Sequence, residues 1–449
     1  MWSVVPSLGV CLQELLVVFT QPSLAAHCQI VVGWLMCLGN RTEFRVFEAI
    51  RGQRVSRRLR HPFDRFYNFF SRSAWRVGDL AHQVTRQVVL ALQPTGQVHL
   101  IVDATLLHKS GHSVWGIGWF HDPVASTEKR AMTALANKWV VLALAVRIPG
   151  TQKSFCLPIH AMLQQSGPGQ PAEAELARRM LQDVLSWFPN RQILLVGDGG
   201  FSAQQLLRAL DQRVRYVGLM RSDAALHETQ VPPRRSRHQG PTPKYGPRLP
   251  SPCQVAERAD QGGDQRWQWQ TIEVDAYGQK RRFQVCAFGA LWPTVFGQRP
   301  IQVVVCRSLD KGYGQVYLYT TVLEATAAWV IATYARRTAI EGTFKASKQV
   351  LEIQKPQHRC RQSIEKLAPW VWLMQSLVAL WYLTEGRRLP DARAARRRLG
   401  PWETEWSYRH MMRLFRRLTI RQAINAKSHS RHDLHRLANQ LENYLYLAA

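Results

Sequence analysis

Acidic side chains are scarce in this sequence. Across 449 residues, 31 Asp and Glu stand against 59 Lys and Arg, a formal net charge of +28. A surplus of that size repels itself unless a polyanion neutralises it. Lysine is scarce as well, at 12 residues against 47 Arg, and the forked guanidinium suits phosphate contacts, although a genomic preference for Arg codons accounts for part of the excess. With 46% hydrophobic residues and 16 Trp, the chain is not a disordered basic tail. It reads as a folded protein whose partner is nucleic acid.

Other absences narrow the chemistry. The eight cysteines form no C-x-x-C pair and no Cys/His zinc spacing, so they read as scattered thiols in a reducing cytoplasm. No G-x-S-x-G is present and the 15 His are dispersed, which leaves no persuasive nucleophilic triad. No P-loop occurs, so no nucleotide cofactor and no ATP-driven motor is expected. The opening MWSVVPSLGVCLQELLVVF lacks the basic start of a secretory signal. The apolar stretches 28–39 and 371–383 are short for a bilayer, and the second is interrupted by Gln375 and Ser376. Both read as buried helices, with no membrane partner and a cytoplasmic location.

What remains divides into three regions. Residues 1–95 read as helical, and the stretch 41–86 carries eleven Arg against four acids. Its HPFDRFYNFFSRSAW interleaves aromatics with Arg, which suits a helical DNA-binding module or an ordinary basic face. Residues 96–385 alternate between strand and helix. Strands are expected at 97–104, 113–120, 138–146, 192–200, 215–220, 301–306 and 316–322, with helices at 171–187, 202–210 and 325–350. This is an α/β pattern, a mixed sheet with helices on its faces. A Pro- and Gly-rich break at 231–252 opens a β-rich insertion, 221–300, that carries Trp267, Trp269 and Trp292. Residues 386–449 are basic and helical, with fourteen Lys and Arg against five acids.

Three carboxylates could carry chemistry. Asp103 (LIVDAT) and Asp198 (LLVGDGG) stand where strands run out, a place that turn residues and helix caps occupy more often than functional groups do. In YARRTAIEGTFKASK, a single helix would put Tyr334, Arg337, Glu341 and Lys348 within an arc of about 60°. An exposed face with a Glu341–Lys345 pair would look similar. Together, three such acids would make a hard oxygen site for two Mg²⁺ ions acting on a phosphodiester. Asp122 (WFHDPV) is the rival acid and reads better as a turn residue.

The spacing of that tyrosine, arginine, glutamate and lysine resembles the signature of the insertion-sequence-four superfamily of bacterial DDE transposases, and IVDATLLHKSG and VGDGGFS resemble the surroundings of that family's aspartates. VDATLLHKSG with NKWVVLAL is similar to its seven-oh-one branch. The resemblance implies a ribonuclease-H-like catalytic core in which Asp103, Asp198 and Glu341 bind the metal, with Mn²⁺ able to replace Mg²⁺. It implies that Tyr334, Arg337 and Lys348 hold double-stranded DNA, and it makes an insertion Trp (Trp267, Trp269 or Trp292) a platform for a flipped base, although core packing is the commoner role for any one of them. The activity implied is cleavage at terminal inverted repeats and joining of 3′-hydroxyls to target DNA, by a homodimer that holds both ends. Two other readings stay open: a transposase-derived protein that binds DNA without cutting it, and a ribonuclease-H-like nuclease without strand transfer.

Overall fold

The structure is a computed structural model that describes residues 6–50, 63–127, 130–148, 151, 154–231, 243–310, 314–400 and 404–426. Part of the basic 41–86 stretch (51–62), most of the Pro- and Gly-rich break (232–242) and residues 427–449 of the basic C-terminal region lie outside the described residues.

Among the described residues, five α-helices come first: α1 (Pro6–Gln13), α2 (Gln21–Met36), α3 (Glu43–Glu48), α4 (Asp64–Ser71) and α5 (Val77–Leu92). Strands β1 (Val98–His108), β2 (Gly118–His121), β3 (Thr133–Arg147) and β4 (Ser154–Gln164) follow, then α6 (Glu173–Trp187), β5 (Ile193–Gly197), α7 (Gln204–Leu207) and β6 (Val214–Leu219). The remainder contains α8 (Pro252–Gln261), β7 (Gln270–Ala276), β8 (Gln279–Leu291), α9 (Pro293–Phe296), β9 (Pro300–Ser308) and β10 (Gln315–Thr320). It ends with α10 (Ala327–Ala335), α11 (Ala339–Gln349), α12 (Arg361–Thr384), α13 (Pro390–Arg396) and α14 (Tyr408–Ala426).

Among the described residues, all ten strands join one sheet. β4, β3 and β1 pair antiparallel, and β1, β5 and β6 then run parallel. This is the mixed, ribonuclease-H-like arrangement that the resemblance implies. β3 lies between partners on both sides, and its apolar VVLALAV is buried throughout, as a central strand requires. β4 escapes a reading by alternation because Pro158 interrupts it. The strand lies at the edge, and the register shifts at Leu142/Ala143, opposite that proline, where a missing N–H is tolerated. The strand expected at 113–120 shrinks to β2, and the one expected to end near Asp103 continues to His108 because β3 pairs with it along that length.

The β-rich insertion does not stand apart from the sheet. β10 pairs antiparallel with β6, and β9, β8 and β7 continue outward from it. Helix α10 packs against β6, β10 and also β7. At roughly 4.8 Å per strand, a flat sheet would hold β6 and β7 about 19 Å apart, so this end of the sheet bends around α10.

Helix α12 is the hub where β4 meets the helices. It packs against β4, α5, α4, α1 and α14, and its Trp370, Trp372 and Trp381 are fully buried. The stretch is long and apolar enough to cross a membrane by composition, yet its apolar window is 94% buried inside the protein. The N-terminal aromatics serve the same core: Phe69 and Phe70 are buried, and Phe70 and His27 meet Trp370 edge-on. The N-terminal helices and the sheet share this core. The indole of Trp34 donates to the Leu351 carbonyl across it, and Arg41 bonds the Trp34 and Cys37 carbonyls while pairing with Glu352.

The indole of Trp372 donates to Ser347 on α11 and meets Trp139 of β3 edge-on, so it fixes α11 against the sheet. Trp372→Ala should cost about 3–5 kcal/mol through the cavity it leaves, read as a lowered midpoint in urea unfolding.

Candidate functional site

The parallel register aligns the two aspartates. Val102 lies opposite Gly197, the last residue of β5, so Asp103 and Asp198 each follow that pair by one position on adjacent strands. Asp198 then caps a 3₁₀ turn (Gly199–Phe201), its Oδ1 accepting the Gly200 amide at 2.9 Å. Gly197 must lack a side chain, since a Cβ there would stand 2.4 Å from the Tyr216 hydroxyl. That close packing beneath β5 fixes where its end, and hence Asp198, can lie.

The third acid comes from the helical segment. The expected unbroken helix at 325–350 is interrupted by a 3₁₀ turn over Arg336–Thr338, so Tyr334 and Glu341 belong to different helices, α10 and α11. The interruption lets α10 follow the bent sheet while α11 packs on β4 and β1. Thr343 ties α11 down by donating to the Cys156 carbonyl at 2.6 Å. Arg337, on the turn, links the acids: its Nη1 donates to Asp103 Oδ2 at 2.8 Å, and its Nη2 lies 3.7 Å from Glu341 Oε1.

Charge and burial shape this group. Burial raises Asp103 to about 6; Arg337 opposes the shift, and Asp198 and Glu341 add to it. Burial works against the charge of Arg337, but Tyr334, Asp103, Asp198 and Glu341 outweigh it and hold the guanidinium above its ordinary value. Burial also pushes the Tyr334 phenol up, and Arg337 lies 5.8 Å from its ring. Tyr334, Arg337 and the three acids therefore form one coupled set.

Lys348 does not join that set. Burial lowers its pKa, and the acid it senses is Asp122, since it lies two turns beyond Glu341 along α11. Asp122 behaves as a turn residue, accepting the Val124 and Ala125 amides and pairing with His108 at 2.9 Å. Trp267 is 2% exposed and packs edge-on against Phe288, so its ring offers no face to a flipped base in this arrangement. Trp292 is likewise buried. Trp269 is half-buried, with Arg307 over its ring and its indole donating to Asp260.

The structure adds residues that sequence reasoning missed. Beside the 3₁₀ turn, a cavity of about 460 Å³ is lined by Arg147, Ser154, Asp275, Tyr277 and Arg336. Arg336 reaches back to His99 Nδ1 at 3.1 Å. Tyr277 sits at φ 55 beside Gly278 at φ 80, a two-residue hairpin between β7 and β8. A bulky residue there is unusual, and Tyr-Gly between two alternating strands was the available signal.

The donor set suits a hard divalent cation, because among the described residues Asp198 keeps one carboxylate oxygen and Glu341 both outside any hydrogen bond. As placed, however, no three Asp, Glu, His or Cys side chains among the described residues are close enough to grip one ion. Both oxygens of Asp103 are engaged, one by the Ala104 amide and one by Arg337.

The raised Asp103 also has a consequence for stability. Its ordinary value is 3.8 and its folded value about 6, so the native state holds this proton more tightly than the unfolded chain does. Its contribution is favourable at low pH and declines as pH rises from about 4 through 6. In metal-free protein, the melting temperature of Asp103→Asn relative to wild type should therefore rise across that interval; a pH-independent difference would contradict the assignment.

Residues 19–282 match a family described as DDE superfamily endonuclease, a span that includes Asp103 and Asp198 and stops before Glu341. No curated protein matches the chain. Among solved structures, the cryo-EM structure of a piggyBac transposase synaptic complex with hairpin DNA is similar at 13% identity and a TM-score of 0.43, over 94% of this chain and 76% of that one. With more than half of its length matched by the family, the chain belongs to the DDE superfamily endonucleases.

Proposed function

We propose that this chain is a transposase of the insertion-sequence-four type that binds double-stranded DNA at the terminal inverted repeats of its own element. It hydrolyses a phosphodiester to free each 3′-hydroxyl and joins those hydroxyls to target DNA by transesterification. The observation that carries the reading is the strand register that sets Asp103 beside Asp198, with Arg337 tying Asp103 to the helix that holds Glu341.

Asp103, Asp198 and Glu341 would hold the divalent metal, taken here as two Mg²⁺ with Mn²⁺ as substitute. When bound, it supplies charge for activating a water or 3′-hydroxyl and stabilising the leaving oxygen. Tyr334 and Arg337 would position the phosphate next to the scissile bond. Lys348 would contact the DNA further along α11. The basic terminal regions would bind the backbone on either side, in a homodimer that brings two ends together in the bacterial cytoplasm.

Asp198→Ala and Glu341→Gln should abolish Mg²⁺-dependent cleavage of a duplex carrying the repeats that flank the reading frame, while binding of that duplex persists. Cleavage retained in either variant would refute the assignment. Joining of precleaved ends to a target separates a transposase from a nuclease that only cuts.

On α13 and just beyond it, Arg393, Arg397 and Arg398 are exposed, whereas Arg396 is paired with Glu405 at 2.8 Å. Changing the three exposed arginines to Gln should flatten the salt dependence of DNA binding by about 0.9 in log–log slope for each phosphate no longer neutralised. Asp103→Asn should leave that slope nearly unchanged.

A further inference from the structure

The metal reading of the three acids meets an obstacle in the structure itself. Arg337 occupies the space that a cation shared by Asp103 and Glu341 would need, with Nη1 2.8 Å from Asp103 Oδ2 and Nη2 3.7 Å from Glu341 Oε1. Arg337 and Asp103 are only 19% and 14% exposed, so water screens their contact poorly, whereas Glu341 is 64% exposed. The other oxygen of Asp103 accepts the Ala104 amide, which leaves no uncommitted oxygen on this residue. A metal and the guanidinium would compete for Oδ2, and their like charges would oppose simultaneous occupancy.

Arg337 also has somewhere to go. Its Nε is buried without a hydrogen-bond partner, so that edge of the guanidinium is not locked in place. The guanidinium already stands over the Tyr334 ring, 5.8 Å from its centroid, a contact that can keep the cation once it leaves Asp103. Arg337 stands on the short 3₁₀ turn between α10 and α11, outside both helices.

We infer that Arg337 is a tethered counter-ion: it links Asp103 to Glu341, and it must release Asp103 before a divalent metal can bind. Resting on the proposed metal site, the inference assigns Arg337 a positioning role distinct from contact with DNA. It follows that an anion able to draw the guanidinium away, such as a DNA phosphate, would favour metal binding, and by linkage the metal would favour that phosphate.

Titration of Mn²⁺ into the full chain without DNA tests this directly, with free Mn²⁺ followed by electron paramagnetic resonance. Arg337→Gln should bind Mn²⁺ about tenfold more tightly than wild type. Arg337→Lys keeps the charge but loses the fork that spans both acids, so it should fall between the two; it also serves if the Gln variant does not fold. Arg336→Gln removes a neighbouring guanidinium that is bonded to His99, and should shift the affinity far less. Unchanged or weaker binding in Arg337→Gln would overturn the inference, as would equal tightening in Arg336→Gln, which would reveal a general field effect. Asp198→Ala separates the two levels of the argument: if it binds Mn²⁺ as wild type does, the metal site has been misplaced, whatever Arg337 does.

Discussion

Carboxylates gathered at the end of a parallel strand pair repel one another, and Arg337 is the group that makes their proximity tolerable. Asp103 and Asp198 are brought side by side by the β1–β5 register, a geometry set by backbone hydrogen bonds and indifferent to charge. Burial then penalises Asp103, and the guanidinium at 2.8 Å partly offsets that penalty. For Arg337 to reach this position, the turn between α10 and α11 must lie over the strand ends. Ser347 and Gln375 bond to each other in the interface between α11 and α12, and Trp372 donates to Ser347 as well. α12 in turn packs on the N-terminal helices, so the placement of one guanidinium depends on packing that extends through the N-terminal half of the chain.

The distribution of arginine has two causes. Many arginines face outward in the terminal regions, as binding a polyanion requires. Others act as internal staples for backbone carbonyls. Arg191 bonds those of Gln93, Pro94, Thr95 and Gly96, closing the loop before β1. Arg213 reaches Leu185 and Pro189, and Arg416 reaches Leu35 and Cys37. A planar fork with five donors can satisfy several carbonyls at once, which the ammonium of lysine does less well. The excess of arginine over lysine therefore reflects internal architecture as well, and net charge alone overstates the positive charge free at the surface.

Sequence alone was enough to identify the local features. The apolar runs of β1, β3 and β5, the amphipathic α6 and the apolar α12 were visible because burial imposes periodicity or continuity on neighbouring residues. Asp103, Asp198 and Glu341 were nominated by strand ends and motif spacing, which are also local. Features that depend on distant partners were not visible. β4 was hidden by Pro158, tolerated only because that strand lies at an edge. The break at Arg336–Thr338 follows from the bending of the sheet around α10, and no residue in the YARRTAIEG segment announces it.

What the sequence by itself determined is the chemistry available: a basic, aromatic-rich α/β chain with three well-spaced acids and an arginine one helical turn from the last. Only the tertiary structure decided which of those groups meet. It brought Arg337 onto Asp103, which precedes it by more than two hundred residues, kept Lys348 apart from that group within the field of Asp122, and buried Trp267 against Phe288. The physical reason is that side-chain spacing along one helix or strand is set by backbone geometry, whereas contacts between elements are set by how the sheet bends and what packs against it.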